Sequence, residues 1–351
     1  MSTASTLLLV AIVLVAFGFD ITNGMNDLSG LLATTVRTRA SSRRGAQIVV
    51  ITGVIVGLSI APPFVARTLG EGLVHWGRER DGSLIRLTAV LAALLGALIW
   101  NLWARRHGMP ASSTHGLVGG LIAAALIARL KSGSIHWGLG PLIYHLKLVG
   151  GVKVIAGLLF SPLLGFVLGY FIFSLLAWVL VRATIILNRV LRYGEVAALF
   201  LQSVSYGCND AQKSIAMITT ALYAANLLTY FQPPWWASAL AGIALSLGCL
   251  LGSLRIFRTV GFGIVRVRPL EAFSAQIAAA GSVALAALTG APVSSTQVVS
   301  SSVIGVGARS RFRDVRWLRS RDILMTWFVT IPGAGLVTAV IYLVFRMLLK
   351  V

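Results

Sequence analysis

Apolar residues run in long blocks, separated by short polar breaks rich in arginine. The blocks fall near 6–36, 46–66, 84–104, 110–129 and 150–187, then near 194–225, 235–257, 269–290, 292–308 and 322–349. A helix that crosses a bilayer needs about 20 apolar residues, and most of the blocks reach that length. Several are too long or too interrupted for one straight helix. The block 150–187 spans either as one tilted helix around Pro162 or as two pieces. The pattern predicts ten to twelve transmembrane helices. The opening MSTASTLLLVAIVLVAF has no positively charged start and no cleavage site, so it reads as the first span rather than a removed signal peptide.

Composition sharpens this reading. Of 351 residues, 57% are apolar and 11% charged, whereas a soluble domain averages about 25% charged and 45–50% apolar. A water-soluble fold is excluded, and the chain is an all-α polytopic membrane protein. The 36 glycines and 10 prolines suit membrane helices that pack closely or are interrupted. A formal charge of +20 would suggest nucleic acid in a soluble protein. Here the basic residues lie in short loops, where they set topology and contact anionic lipid. Nucleic acid is therefore not an expected partner. Cys208 and Cys249 lie inside apolar blocks and make neither a disulfide framework nor a metal-ligand spacing.

The blocks contain a repeat. Asn26-Asp27 lies in the first block and Asn209-Asp210 in the sixth; PASSTHGLVGG opens at Pro110 and PVSSTQVVSSS at Pro292. The interval from Asn to Pro is 84 residues in the first half and 83 in the second. Two copies of one unit are implied, 1–190 and 191–351, displaced by about 183 residues. Each copy has five apolar blocks, and an odd number turns the second copy upside down in the bilayer. With both termini outside, nineteen of the thirty basic residues fall on the cytoplasmic side, six of them arginines between 309 and 321. This orientation obeys the positive-inside rule.

Ionisable residues at membrane depth are costly, about 2.5–3.5 kcal/mol each on the lenient insertion scale. Six acids fall in or beside loops on this reading: Glu71, Glu79, Asp81, Glu195, Asp314 and Asp322; Glu271 opens a helix. Asp20, Asp27 and Asp210 remain inside spans, accompanied by Asn23, Asn26, Asn209, Gln212 and Lys213. A single membrane Asn is usually a packing contact, but a matched Asn-Asp pair in both halves points to function. Carboxylate and amide oxygens suit a small hard cation or carry a proton. Asn23, Asn26, Asp27, Asp210 and Lys213 are thus the expected coupling residues. Lys213 is placed to neutralise Asp210 from the same helix face. Asp27 has no Lys or Arg within a helical turn, so its expected partner is the coupling ion itself.

The second motif pair has the opposite polarity. Pro is tolerated in the first turn of a helix, so Pro110 and Pro292 are expected to start half-helices within the membrane. The exposed N–H groups and positive dipole end of such a helix favour an anion. Ser112, Ser113 and Thr114, with Ser294, Ser295 and Thr296, add hydroxyl donors in the same turn. Ordinary N-capping explains one such cluster. Two, inverted so that they converge from opposite sides, favour an anion site near the midplane.

These motifs resemble the signatures of the inorganic phosphate transporter (Pit) family. The residues that carry the likeness are NGMNDLSGLLATTVRTRA, SYGCNDAQKS, PASSTH at 110–115, PVSSTQ at 292–297 and IWNLWARRHGMPASSTHGLVGG. The likeness covers essentially the whole chain. It implies cation-coupled uptake of inorganic phosphate through a site shared by two repeats, in a homodimer in the cell membrane. By position, Asn26, Asp27, Asn209 and Asp210 match the cation and phosphate region, and would be the oxygen set for a sodium ion. The two Ser-Ser-Thr clusters match the phosphate-binding hairpin tips, with Asn209 and Gln212 beside them. The chain departs from the family pattern at Gly30, where a second Asn is usual, and at Tyr206, Gln297 and Gln276, which replace two His and a Glu. Each change removes an oxygen ligand or a titratable group. That tilts the choice of coupling ion from sodium towards protons. No other cofactor is implied.

Phosphate near neutral pH keeps a P–OH that needs an acceptor, whereas sulfate wants only donors. Asp27 and Asp210 favour phosphate, with a sulfate permease of the same fold as the first alternative and a passive anion channel as the second. A channel wants a continuous polar lining, and here polar residues gather in two matched clusters. Catalysis by Ser113 and His115 is disfavoured, because i and i+2 on a helix point to different sides. His75, Trp76, His136, Trp137 and His145 in the loops 67–86 and 131–149 read as interfacial anchors rather than a metal site.

Overall fold

The computed structural model describes residues 2–76, 83–109, 111–128, 135–139, 143, 145, 147–182, 187–252 and 267–349. Among these the regular structure is helical, apart from one isolated antiparallel bridge between Val74 and Ile135. In the first half, α1 (Thr3–Asn23) passes through a π-helical turn, Gly24–Leu28, into α2 (Ser29–Arg37). Then come α3 (Arg43–Ile60), the single turn α4 (Phe64–Arg67), α5 (Ser83–Arg106), α6 (Ser113–Ile127) and α7 (Gly150–Val179). The second half follows with α8 (Leu187–Asn209), α9 (Gln212–Ala224), α10 (Trp235–Leu251), α11 (Pro269–Thr289), α12 (Ser295–Ser310) and α13 (Trp317–Leu349).

Among the described residues, six helical stretches are long and apolar enough to cross a membrane: Thr3–Arg37, Arg43–Ile60, Ser83–Arg106, Gly150–Val179, Pro269–Thr289 and Ser320–Leu349. The others explain why the blocks outnumber them. At 1.5 Å per residue α6 and α12 are about 22–24 Å long, and α9 about 20 Å, against a hydrocarbon core of about 30 Å. They are short pieces of interrupted spans. Pro162 does not divide its block: α7 runs unbroken through it for 30 residues, and α13 runs through Pro332 for 33. Neighbouring helices and local adjustment re-satisfy the carbonyl that a membrane proline strands.

The helices pair in matching sets. Helix α3 lies on α8, and α10 on α1; α11 lies on α8, and α5 on α1; α7 lies on α12, and α13 on α6. Each pairing recurs with the halves exchanged. Several crossings are backbone to backbone, two of them beside the Asn-Asp pairs. A Cβ on Gly24 would lie 2.4 Å from the Leu245 carbonyl oxygen, and one on Gly248 2.3 Å from that of Ile21. Likewise, a Cβ on Gly207 would lie 2.3 Å from the Val54 oxygen and one on Gly57 2.0 Å from that of Val204. Gly24 and Gly207 each precede their Asn-Asp pair by the same step.

Glu195 departs from its expected place beside a loop. It is fully buried in α8, where one carboxylate oxygen accepts from the Thr38 hydroxyl at 2.5 Å. Close by, the Gln276 amide nitrogen donates to Thr34 and Thr35 at 3.0 and 2.6 Å, so α2 offers a ladder of hydroxyls to α8 and α11. The loop 67–86 is partly helical, and Trp76 is buried with its indole N–H donating to the Gly70 carbonyl at 2.7 Å. Among the described residues no three of His, Cys, Asp and Glu come together as a metal site.

Candidate functional site

Both Asn-Asp pairs sit at helix breaks. Asn26 and Asp27 lie in the π-helical turn between α1 and α2. Asn209 and Asp210 lie at the junction of α8 and α9, where the Asp210 N–H still bonds the Tyr206 carbonyl at 2.7 Å. A π-bulge or a broken turn frees backbone groups and re-aims side chains, which is why such breaks gather at functional sites. Both hydroxyl clusters sit at helix starts. Pro292 lies three residues before α12, and Pro110 lies outside the described residues. Serines rather than prolines start these helices. Ser112 accepts from the His115 N–H at 3.1 Å and Ser294 from the Gln297 N–H at 3.4 Å, each as an N-cap.

The two helix starts meet. The Thr114 hydroxyl donates to the Val293 carbonyl at 2.9 Å, and the Gln297 amide nitrogen lies 3.3 Å from His115 Nε2. Against them rest the two acids. Thr296 donates to one Asp27 oxygen, and Ser113 to the other at 3.1 Å. Ser295 donates to Asp210, and the Tyr206 hydroxyl donates to the Ser295 carbonyl at 2.7 Å. Each hydroxyl cluster thus reaches Asp27, from its own half and from the other.

Lys213 closes the constellation. Its ammonium lies 2.9 Å from Asp210 Oδ1, 3.9 Å from Asp27 Oδ2 and 2.8 Å from Ser113 Oγ, and its side chain is 1% exposed. The expectation that Asp27 lacks a basic partner is corrected: Lys213 reaches it across the two halves. Two carboxylates face the one ammonium directly, and Asp20 lies nearby as a third buried acid. A buried pair of this kind is tolerable only with close geometry and further hydrogen bonds, and the hydroxyls supply them.

The remaining predicted residues divide. The Asn26 and Asn209 side-chain oxygens and Asp210 Oδ2 are buried without a protein partner among the described residues, as are both polar atoms of Asn23. The oxygens among them are hard ligands open to a cation, a proton or water, and the Asn23 amide nitrogen is a donor. Gln212 stands apart. Its amide spans Pro62, Cys208 and the Ala66 N–H at 2.8–2.9 Å, tying α4 to the break. Four residues that the sequence drew attention to, but not as site residues, join the site. Asp20 accepts from Ser214 on α9, Tyr206 buttresses Ser295, and His115 and Gln297 join the two helix starts. Asp20 was legible as an acid inside a span; the other contacts leave no local signal.

Interrupted helices, two capped helix starts and a buried polar cluster, all within a multi-pass helical membrane fold, are the architecture of a transporter. The chain belongs to the Phosphate transporter family, whose profile matches residues 23–338. A protein of Bacillus subtilis (strain 168), named as a probable low-affinity inorganic phosphate transporter, is 34% identical over 344 residues, covering 97% of this chain and 98% of the relative. One of Rhizobium meliloti (strain 1021) with the same name is 32% identical, covering 95% and 96%. A solved structure, "The sodium-dependent phosphate transporter", superposes with a TM-score of 0.84 at 20% identity, covering 97% of this chain and 99% of that one. It shares the fold.

Proposed function

We propose that the protein imports inorganic phosphate, driven by a proton gradient, by alternating access of one site between two inverted repeats. The halves are 1–190 and 191–351, with α8 beginning at Leu187, just inside the first. The exchange of helix pairings between halves supports this. So does the convergence of two helix N-termini, each with first-turn N–H groups that lack intrahelical acceptors and favour an anion. Ser113, Ser295 and Thr296 supply donors, and Asp27 and Asp210 supply acceptors for the P–OH that sulfate lacks.

One observation carries the choice of ion: the Lys213 ammonium stands between Asp27 and Asp210, 3.9 and 2.9 Å away. A fixed cation already meets part of the demand that a metal ion would meet, leaving carboxylate charge on Asp27 and the neighbouring Asp20 for a proton. Sodium is the second reading, favoured by the open Asn26 and Asn209 oxygens. Purified protein in liposomes with labelled phosphate, under separately imposed proton and sodium gradients, decides between them. Accumulation driven by sodium alone, at equal pH on both sides, would reject proton coupling. The family likeness also suggests a homodimer, which light scattering on the detergent-solubilised protein tests.

A further inference from the structure

A cavity of about 540 Å³ opens between α7 and α13, with the starts of α6 and α12 as its floor. Its walls are Leu159, Leu163, Ile304 and Phe328. The ends differ. Trp317, Ser320 and Arg321 stand at one end of the α13 wall and Ile331 at the other. From Trp317 to Ile331 is about 21 Å at 1.5 Å per residue. That matches one leaflet, half of a bilayer about 40–45 Å thick with its headgroups. The arginine end belongs to the stretch 309–321, which holds six arginines, Arg321 among them.

Two lining residues bear buried polar atoms without a partner among the described residues: the indole N–H of Trp327, 5% exposed, and the amide oxygen of Gln297, 1% exposed. An apolar slot with a basic, aromatic mouth and an unsatisfied indole N–H along its wall fits an amphiphile. We infer that this cavity binds one anionic phospholipid, its phosphate on Arg321 and Ser320 and its acyl chain running between α7 and α13 towards the helix starts. The Trp327 N–H is the donor for an ester oxygen of that lipid. At the floor, His115 Nδ1 lies 2.7 Å from Ser112 Oγ, the N-cap of α6, so the occupant touches the residues that hold the anion-facing turn. A basic loop of this composition faces the cytoplasm in the proposed orientation, where anionic lipids are enriched. Binding itself does not depend on which ion drives transport.

The test is native mass spectrometry of the full-length protein with added phosphatidylglycerol or phosphatidylcholine. The expected result is one phosphatidylglycerol retained per chain, in preference to phosphatidylcholine. Arg321→Ala should reduce that preference about five-fold, the worth of one basic residue at a lipid surface. Leu163→Trp, at a half-exposed position that leaves the core alone, should abolish retention by filling the slot. Equal retention of both lipids by the wild type, or unchanged retention in Leu163→Trp, would overturn the assignment. So would an intermolecular disulfide formed by Phe328→Cys in liposomes, which would show the slot to be covered by a second copy. Phosphate uptake by the same variants is a separate reading, so loss of transport with intact lipid retention counts against the transport proposal and not this one.

Discussion

The two helix breaks are built from the same residues, yet they are held differently. Asp210 is gripped by Lys213 at 2.9 Å and by Ser295 of its own half. Asp27 has the same lysine only at 3.9 Å and is held by two hydroxyls, one from each half. The position that matches Lys213 in the first break is Gly30. One difference between the two motifs thus leaves Asp210 closely paired and Asp27 with a more distant cation.

Breaking the tighter pair has the largest expected effect. Asp210→Asn leaves Lys213 buried against a more distant acid, at a cost of about 3–5 kcal/mol for a broken buried pair. Transport should vanish and the thermal unfolding midpoint of the purified protein should fall; a stable variant that still accumulates phosphate would show the pair to be dispensable. Erasing the difference comes next. Lys213→Asn removes the resident cation, and proton-driven accumulation should be lost while external sodium restores part of the uptake. Uptake insensitive to sodium in this variant would mean that the lysine does not stand in for a metal ion.

Asp27→Asn acts on the looser acid. It keeps shape and hydrogen bonding, so exchange between equal phosphate pools should persist while uphill accumulation stops; full accumulation would make Asp27 structural. Smaller effects compare the serines. A hydrogen bond to a charged group contributes about 1.5–3 kcal/mol, so Ser113→Ala and Ser295→Ala should raise the apparent KM about ten-fold to a hundred-fold. Ser113→Ala should do more, because Ser113 also accepts from Lys213. Equal KM values in both variants and the wild type would place the substrate elsewhere. Smallest is Tyr206→Phe, which strips one neutral bond to the Ser295 carbonyl, worth about 0.5–1.5 kcal/mol. A few-fold loss of affinity at unchanged maximal rate is expected from initial-rate measurements.

Much of this was legible in the chain because it is local. Asn-Asp inside an apolar block and Ser-Ser-Thr after a proline announce a break and a cap within a few residues. What stayed hidden is long-range. Lys213 meets Asp27 only because the two breaks pack together, and no spacing along the sequence encodes that. Glu195 sits in LRYGEVAAL beside Arg189 and Arg192, which reads as a loop flank. The Thr38 hydroxyl at the end of α2 and the charge of Arg192 help make its burial tolerable. Pro162 misleads in the other direction: a proline signals a possible break, but surrounding helices decide whether the helix stops.

The glycine crossings at Gly24 and Gly207 have a mechanical consequence. Each pins its helix three residues from the acid it carries, leaving α8 a long arm on one side, Leu187–Gly207, and a very short one on the other. At 1.5 Å per residue the arms are about 30 Å and about 4.5 Å. Turning about that fulcrum by about 5° would sweep the distant tip of α8 through about 2.6 Å while Asp210 moved about 0.4 Å, on the same rise per residue. On the proposed alternating access, such a lever would turn large excursions at the ends of the molecule into fine adjustments at its centre.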